Sequence, residues 1–103
     1  MVKIFSLLKR KEGMSLEAFR HWAFYEHPEL GKRIPGIMHY RMNVVCEDNP
    51  DLPFDAVSEF CFADMAAYQA AFASPEGQAA GADAAAHCAN RIRLVTEEKI
   101  LIP

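Results

Sequence analysis

Apolar and polar residues alternate at several points along the chain and recur at helical spacing between them. In residues 2–9, VKIFSLLK, Val2, Ile4, Ser6 and Leu8 fall on one side, and Lys3, Phe5, Leu7 and Lys9 on the other. That is the period of a strand, and both of its faces carry apolar groups, so both are expected to be covered. KRKEGM reads as a turn. Ser15 then stands as N-cap of a helix running to Glu29 or Leu30, with Gly31 as its stop and Pro28 distorting its last turn. Pro35-Gly36 turns the chain into a long strand over residues 37–46. Met38, Tyr40, Met42 and Val44 share one face of that strand; Ile37, His39, Arg41, Asn43 and Val45 share the other. The loop EDNPDLPFD leads to a third strand, AVSEFCF, in which Ala56, Ser58, Phe60 and Phe62 lie on one face. Asp64 caps the short helix MAAYQAAFA. Ser74-Pro75 opens an alanine-rich helix over about residues 75–89, and RIRLVTEEKILI closes the chain as a strand broken near Glu97 and Glu98.

The order β-α-β-β-α-β predicts an α+β fold of the ferredoxin-like kind, with an antiparallel sheet and a single domain over residues 1–103. Such a sheet covers one face with helices and leaves the other bare. Hydrophobic residues make up 51% of the chain, slightly more than a soluble domain of this size usually needs, which points to a homodimer packed through the sheet faces. The net charge is −3 and Lys and Arg form no run, so nucleic acid is not expected as a partner. Cys46, Cys61 and Cys88 match no zinc spacing and read as reduced thiols of a cytoplasmic protein. The first apolar run spans five residues, too short for a signal peptide or a membrane span. No metal or cofactor motif is present: there is no phosphate loop, no nucleophile elbow and no dinucleotide fingerprint.

On a helical wheel Leu16, Phe19, Ala23, His27 and Leu30 form the stripe that must face the sheet. A histidine in that stripe is either a satisfied core residue or a proton-transfer group beside a pocket, and Ala23 and Gly31 leave room next to its ring. Tyr40 stands ready to hold a ligand carbonyl from the facing strand, or to serve as a core aromatic. Trp22 flanks the stripe and reads first as packing. With Ala23, Met38, Phe60 and Phe62 it is expected to line the pocket around His27. Glu59 alternates onto the opposite face, where Arg41 or Arg91 is its expected partner.

KIFSLLKRKEGMSLEAFRHWAFYEHPEL, IPGIMHYRMN and DAVSEFCFADMAAYQAAFASPEGQAA together resemble the EthD family of dimeric α+β barrel proteins. The resemblance covers essentially the whole chain. It rests on an S-x-x-x-F helix, a histidine near the helix end, a P-G turn before a strand tyrosine, and Asp55 opening an E-x-x-F strand. It implies a ferredoxin-like protomer paired through its sheet, with His27 and Tyr40 as the catalytic positions. The family includes an accessory protein of ether degradation, methylmuconolactone isomerases and polyketide dehydratases; the wider superfamily adds cofactor-free monooxygenases and haem-handling proteins. The isomerase branch uses a histidine in the loop before strand three and a cysteine after its glutamate. Here that loop has no histidine and Phe60 follows Glu59, so that particular reaction is not implied. The expectation is a protein that binds an apolar, cyclic or aromatic molecule between helix and sheet. It is either a cofactor-free isomerase, dehydratase or monooxygenase, or a non-catalytic accessory module for an oxygenase system.

Overall fold

A computed structural model describes residues 1–103. Strands β1 (Val2–Arg10), β2 (Met38–Val44), β3 (Ala56–Phe62) and β4 (Cys88–Thr96) form one antiparallel sheet in the order β2-β3-β1-β4. Helices α1 (Leu16–His21), α2 (His27–Gly31), α3 (Met65–Ala73) and α4 (Pro75–His87) accompany it. The arrangement is ferredoxin-like, as the element order predicts.

Registry assigns the two faces. Val2, Ile4, Ser6 and Leu8 of β1 lie opposite Phe62, Phe60, Ser58 and Ala56 of β3, and these residues meet the helices. The other face carries Phe5, Leu7, Val57, Ile92 and Leu94, and no element of the chain covers it. Ile92 and Leu94 remain 44% and 48% exposed. On this face Glu59 meets Lys3 at 3.4 Å and Arg41 at 3.7 Å. Arg91 pairs with Leu8 in the sheet and so lies on the helix side, not near Glu59.

Three local departures from simple periodicity matter for the site. The first helix does not run unbroken to Leu30. Trp22–Glu26 form a π-turn in which the His27 N–H donates to the Trp22 carbonyl. Pro28, which has no N–H, follows at once, and the wider turn gives its ring space. Gly31 ends α2 without a positive φ, so its glycine character has another cause, described below. The second departure is in β2. Arg41 faces Glu59 but Met38 faces Cys61, so β2 carries one extra residue, and His39 takes φ 53° there. A one-residue bulge reverses the side-chain alternation before it. Met38 therefore leaves the face of Tyr40 and Met42, and Ile37 packs against the core in its place. Third, α4 ends at His87 and β4 begins at Cys88, while residues 97–103 form no strand.

Ser15 caps α1 and Asp64 caps α3, each side chain accepting a backbone N–H. Asp55, fully buried, ties three strand ends together. Its N–H donates to the Leu8 carbonyl at 2.8 Å, and its carbonyl accepts from the Val45 N–H at 2.9 Å. Its carboxylate accepts from the Arg10 N–H at 3.1 Å and faces Lys9 at 3.4 Å and Arg10 Nε at 3.7 Å. Removing one member of such a buried charged group leaves its partners uncompensated. Asp55→Ala should therefore lower unfolding stability by about 3 kcal/mol, read from the urea midpoint. A loss under about 1 kcal/mol would place the clamp in the backbone bonds alone.

Candidate functional site

The buried apolar residues divide into two clusters. One contains Ile4, Ile34, Phe60, Phe62, Ala71 and Ala80; the other contains Leu8, Phe19, Trp22, Ala23, Ala56 and Ala84. On the sheet they are separated by Ser6 and Ser58, which face each other across β1 and β3. Serine side chains are too short to reach the helices, and the space above them stays open. A cavity of about 290 Å³ lies there, lined by Leu8, Ile34, Phe60 and Ala84 from both clusters and by Ile37 and Phe72. Small residues of α4, Ala80 and Gly81, form part of its roof. Its size and apolar walls suit a small ring compound.

His27 and Tyr40 both line this cavity. His27 is held from behind by α4. Its Nδ1 lies 2.8 Å from Asp83 Oδ2, and the same oxygen accepts from Trp22 Nε1 at 3.0 Å. A carboxylate only accepts, so the bond places the imidazole proton on Nδ1 and leaves the Nε2 lone pair free. Trp22 lies between two imidazoles, with its centroid 4.8 Å from His27 and 4.6 Å from His87. His87 Nδ1 donates to the Asp83 carbonyl at 2.8 Å and lies 3.4 Å from Asp83 Oδ1. The result is an oriented histidine–aspartate pair with one ring nitrogen available, the arrangement that general acid–base chemistry requires.

Tyr40 packs edge-on to Phe60 with ring centroids 6.1 Å apart, and its hydroxyl has no protein partner. A Cβ added at Gly31 would sit 2.7 Å from the Tyr40 hydroxyl, so Gly31 is glycine because the phenol lies against it. Burial pushes the Tyr40 pKa up to about 12. At neutral pH the phenol is a donor, fitted to bind a carbonyl or enolate oxygen rather than to take a proton. Burial likewise pushes the Cys88 thiol up to about 11, which makes it a poor nucleophile. No cluster of His, Cys, Asp and Glu could hold a metal ion.

The structure brings His27, Tyr40 and Phe60 to the cavity wall, and not the other expected lining residues. Trp22 is 1% exposed and acts behind His27, through Asp83. Ala23 is buried in the second cluster, where the π-turn places it beside Trp22. Met38 is turned away by the β2 bulge. Phe62 is sealed beneath Tyr68 and Phe72, one row beyond Phe60. Asp83 escaped the sequence reading although it is the lone charged residue of GQAAGADAAA. Ser6 and Ser58 were also legible as polar residues on core faces. Arg91 and Arg93 come to the cavity only through the β1–β4 registry.

The family model of the EthD domain matches residues 11–90. The chain belongs to the EthD family. An ethyl tert-butyl ether D (EthD) family protein from Bacillus halodurans C-125 superposes with TM-score 0.80 at 26% identity, covering 96% of this chain and 99% of that one. A dimeric protein of ferredoxin-like fold from Bacteroides fragilis superposes with TM-score 0.70 at 20% identity, covering 94% and 95%. The hydroxynitrile lyase of Passiflora edulis superposes with TM-score 0.75 at 16% identity, covering 99% and 96%. At those last two identities the likeness is one of fold. None of the curated proteins matches the sequence.

The Tyr40 environment sets an alkaline limit. Its folded pKa, about 12, stands above the ordinary phenol value of 10.0, so the stabilisation it provides is complete below pH 10 and is lost as pH rises through 12. Thermal midpoints across that window should fall for the wild type. They should fall less for Tyr40→Phe, and identical slopes would show that the phenol ionises without cost.

Proposed function

We propose that this EthD-family protein binds an apolar, cyclic or aromatic molecule in the cavity between helices and sheet, and that His27 transfers a proton on it without a cofactor. The observation that carries this reading is the His27–Asp83 bond, which leaves Nε2 free at the wall of the cavity. Nε2 takes a proton from a carbon next to a ring carbonyl. The C–H electron pair becomes the enolate, whose oxygen accepts from the neutral Tyr40 hydroxyl. Asp83 steadies the imidazolium that forms. Return of the proton to another carbon is an isomerisation. Expulsion of a β-hydroxyl with a proton from the same imidazolium is a dehydration. Capture of the carbanion by dioxygen is the oxygenase variant of the same first step.

A direct test is deuterium exchange into 2-tetralone in heavy water, followed by mass spectrometry. The wild type should accelerate exchange, and His27→Ala should lose about a hundredfold or more of that acceleration. Asp83→Asn should fall between them. If 2-tetralone binds but no exchange depends on His27, the accessory, non-catalytic reading takes its place.

We also propose that the uncovered sheet face joins two copies into a homodimer. Phe5, Leu7, Val57, Ile92 and Leu94 form a contiguous apolar surface there, which a soluble domain rarely leaves open. Two structures of this fold, including the dimeric one from Bacteroides fragilis, support the pairing by analogy. Sedimentation velocity should give a dimer for the wild type and a folded monomer for Leu94→Glu. A wild-type monomer at micromolar concentration would remove the proposal.

A further inference from the structure

The cavity wall contains no aspartate or glutamate, whereas Arg91 and Arg93 both line it, in a chain whose net charge is −3. Both project to the helix side of β4, since Arg91 faces Leu8 and Arg93 faces Ser6 across the β1–β4 ladder. Neither takes part in any ion pair of the chain. Each is nevertheless positioned. Arg91 donates one N–H to the Gly81 carbonyl at 3.0 Å, which draws it to the roof of the cavity. Arg93 donates to the Tyr68 hydroxyl at 3.2 Å and lies 4.0 Å over the Phe72 ring, itself part of the lining. A guanidinium has five N–H donors, so most of each fork remains unspent. Two unpaired, pre-oriented guanidinium groups two residues apart on one strand match the oxygens of a carboxylate.

We propose that the ligand of this cavity is a cyclic or aromatic carboxylic acid, its carboxylate held by Arg91 and Arg93 at the β4 edge and its ring lying toward His27 and Tyr40. This rests on the cavity being the ligand site. The row Arg93–Ser6–Ser58–Met42 runs straight across the sheet, and strands are about 4.8 Å apart. Arg93 is therefore rooted one strand from Ser6 and two from Ser58. Neither serine hydroxyl makes a hydrogen bond within the protein, and both line the cavity, where they can serve polar substituents on the ring between the two ends. At the β2 edge Tyr40 presents a phenol donor, so the two ends offer different chemistry to the two ends of a ligand. Apolar walls set the ring, and the arginines set its direction. A ligand so oriented would present the carbons farthest from its carboxylate to His27.

The experiment compares 2-naphthoate with 2-naphthamide, which match in shape and differ in charge, by titration calorimetry at low ionic strength. The acid should bind at least about tenfold more tightly than the amide, and added salt should shrink that advantage. Arg91→Met and Arg93→Met should each shrink the acid-to-amide affinity ratio several-fold, and Arg93→Lys should restore part of that ratio. Equal binding of acid and amide, or an acid preference that survives the double Met variant, overturns the inference. If that occurs while the wild type still exchanges deuterium into 2-tetralone, the carboxylate subsite fails and the His27 reading stands. If neither naphthalene compound binds and no exchange occurs, the cavity reading fails and this inference with it.

Discussion

The Asp83 carboxylate is the contact on which the site depends. One oxygen accepts from Trp22 and meets His27, and so ties α4 to both ends of the π-turn. Because the acceptor lies on a different helix from the histidine, the imidazole is oriented by the packing of two elements rather than by its own backbone. The Trp22 ring packs against both His27 and His87 and backs the imidazole on the side away from the cavity. Packing and chemistry are therefore the same set of contacts: whatever holds α4 against the first helix also sets which nitrogen of His27 is basic.

The cavity exists because the sheet withholds bulk at its centre. Two serines in register separate two apolar clusters, and alanines and glycines of α4 do not fill the gap from above. On the opposite side Gly31 lets Tyr40 lie where any larger residue would push it out. These are absences of side chain, and each would be a stability defect in a domain selected only to fold. Their convergence on one volume, beside an oriented histidine, is what argues for a ligand rather than for loose packing.

Polarity along the cavity is graded. The phenol of Tyr40 stands on the β2 edge strand and the guanidinium groups on the β4 edge strand, while His27 enters from the helix layer. Donors already fixed by the fold need no reorganisation when charge develops beside them. The edge position of β4 keeps the arginines partly in contact with solvent, which lessens the desolvation cost of unpaired cations. The bare face of the sheet and the cavity lie on opposite sides of the same four strands.

The fold was legible in the sequence because its determinants are local: alternation in β1 and β3, caps at Ser15, Asp64 and Ser74, and turns at Pro35-Gly36. His27 and Tyr40 could be singled out by the same means, since periodicity says which residues face inward. The histidine's partner could not. Asp83 is 56 residues away, and only the docking of α4 brings it to 2.8 Å. The expected lining at Met38 failed for a related reason. Alternation assumes a regular ladder, and the bulge at His39, an arrangement of β2 against β3, reverses the faces within two residues. Arg91 and Arg93 likewise carry no local signal, because a strand at the sheet edge shows its function only through its neighbour's register. Side-chain periodicity is a property of single elements, whereas a tautomer, a bulge and a charge facing a cavity are properties of pairs of elements, and those the tertiary structure alone decided.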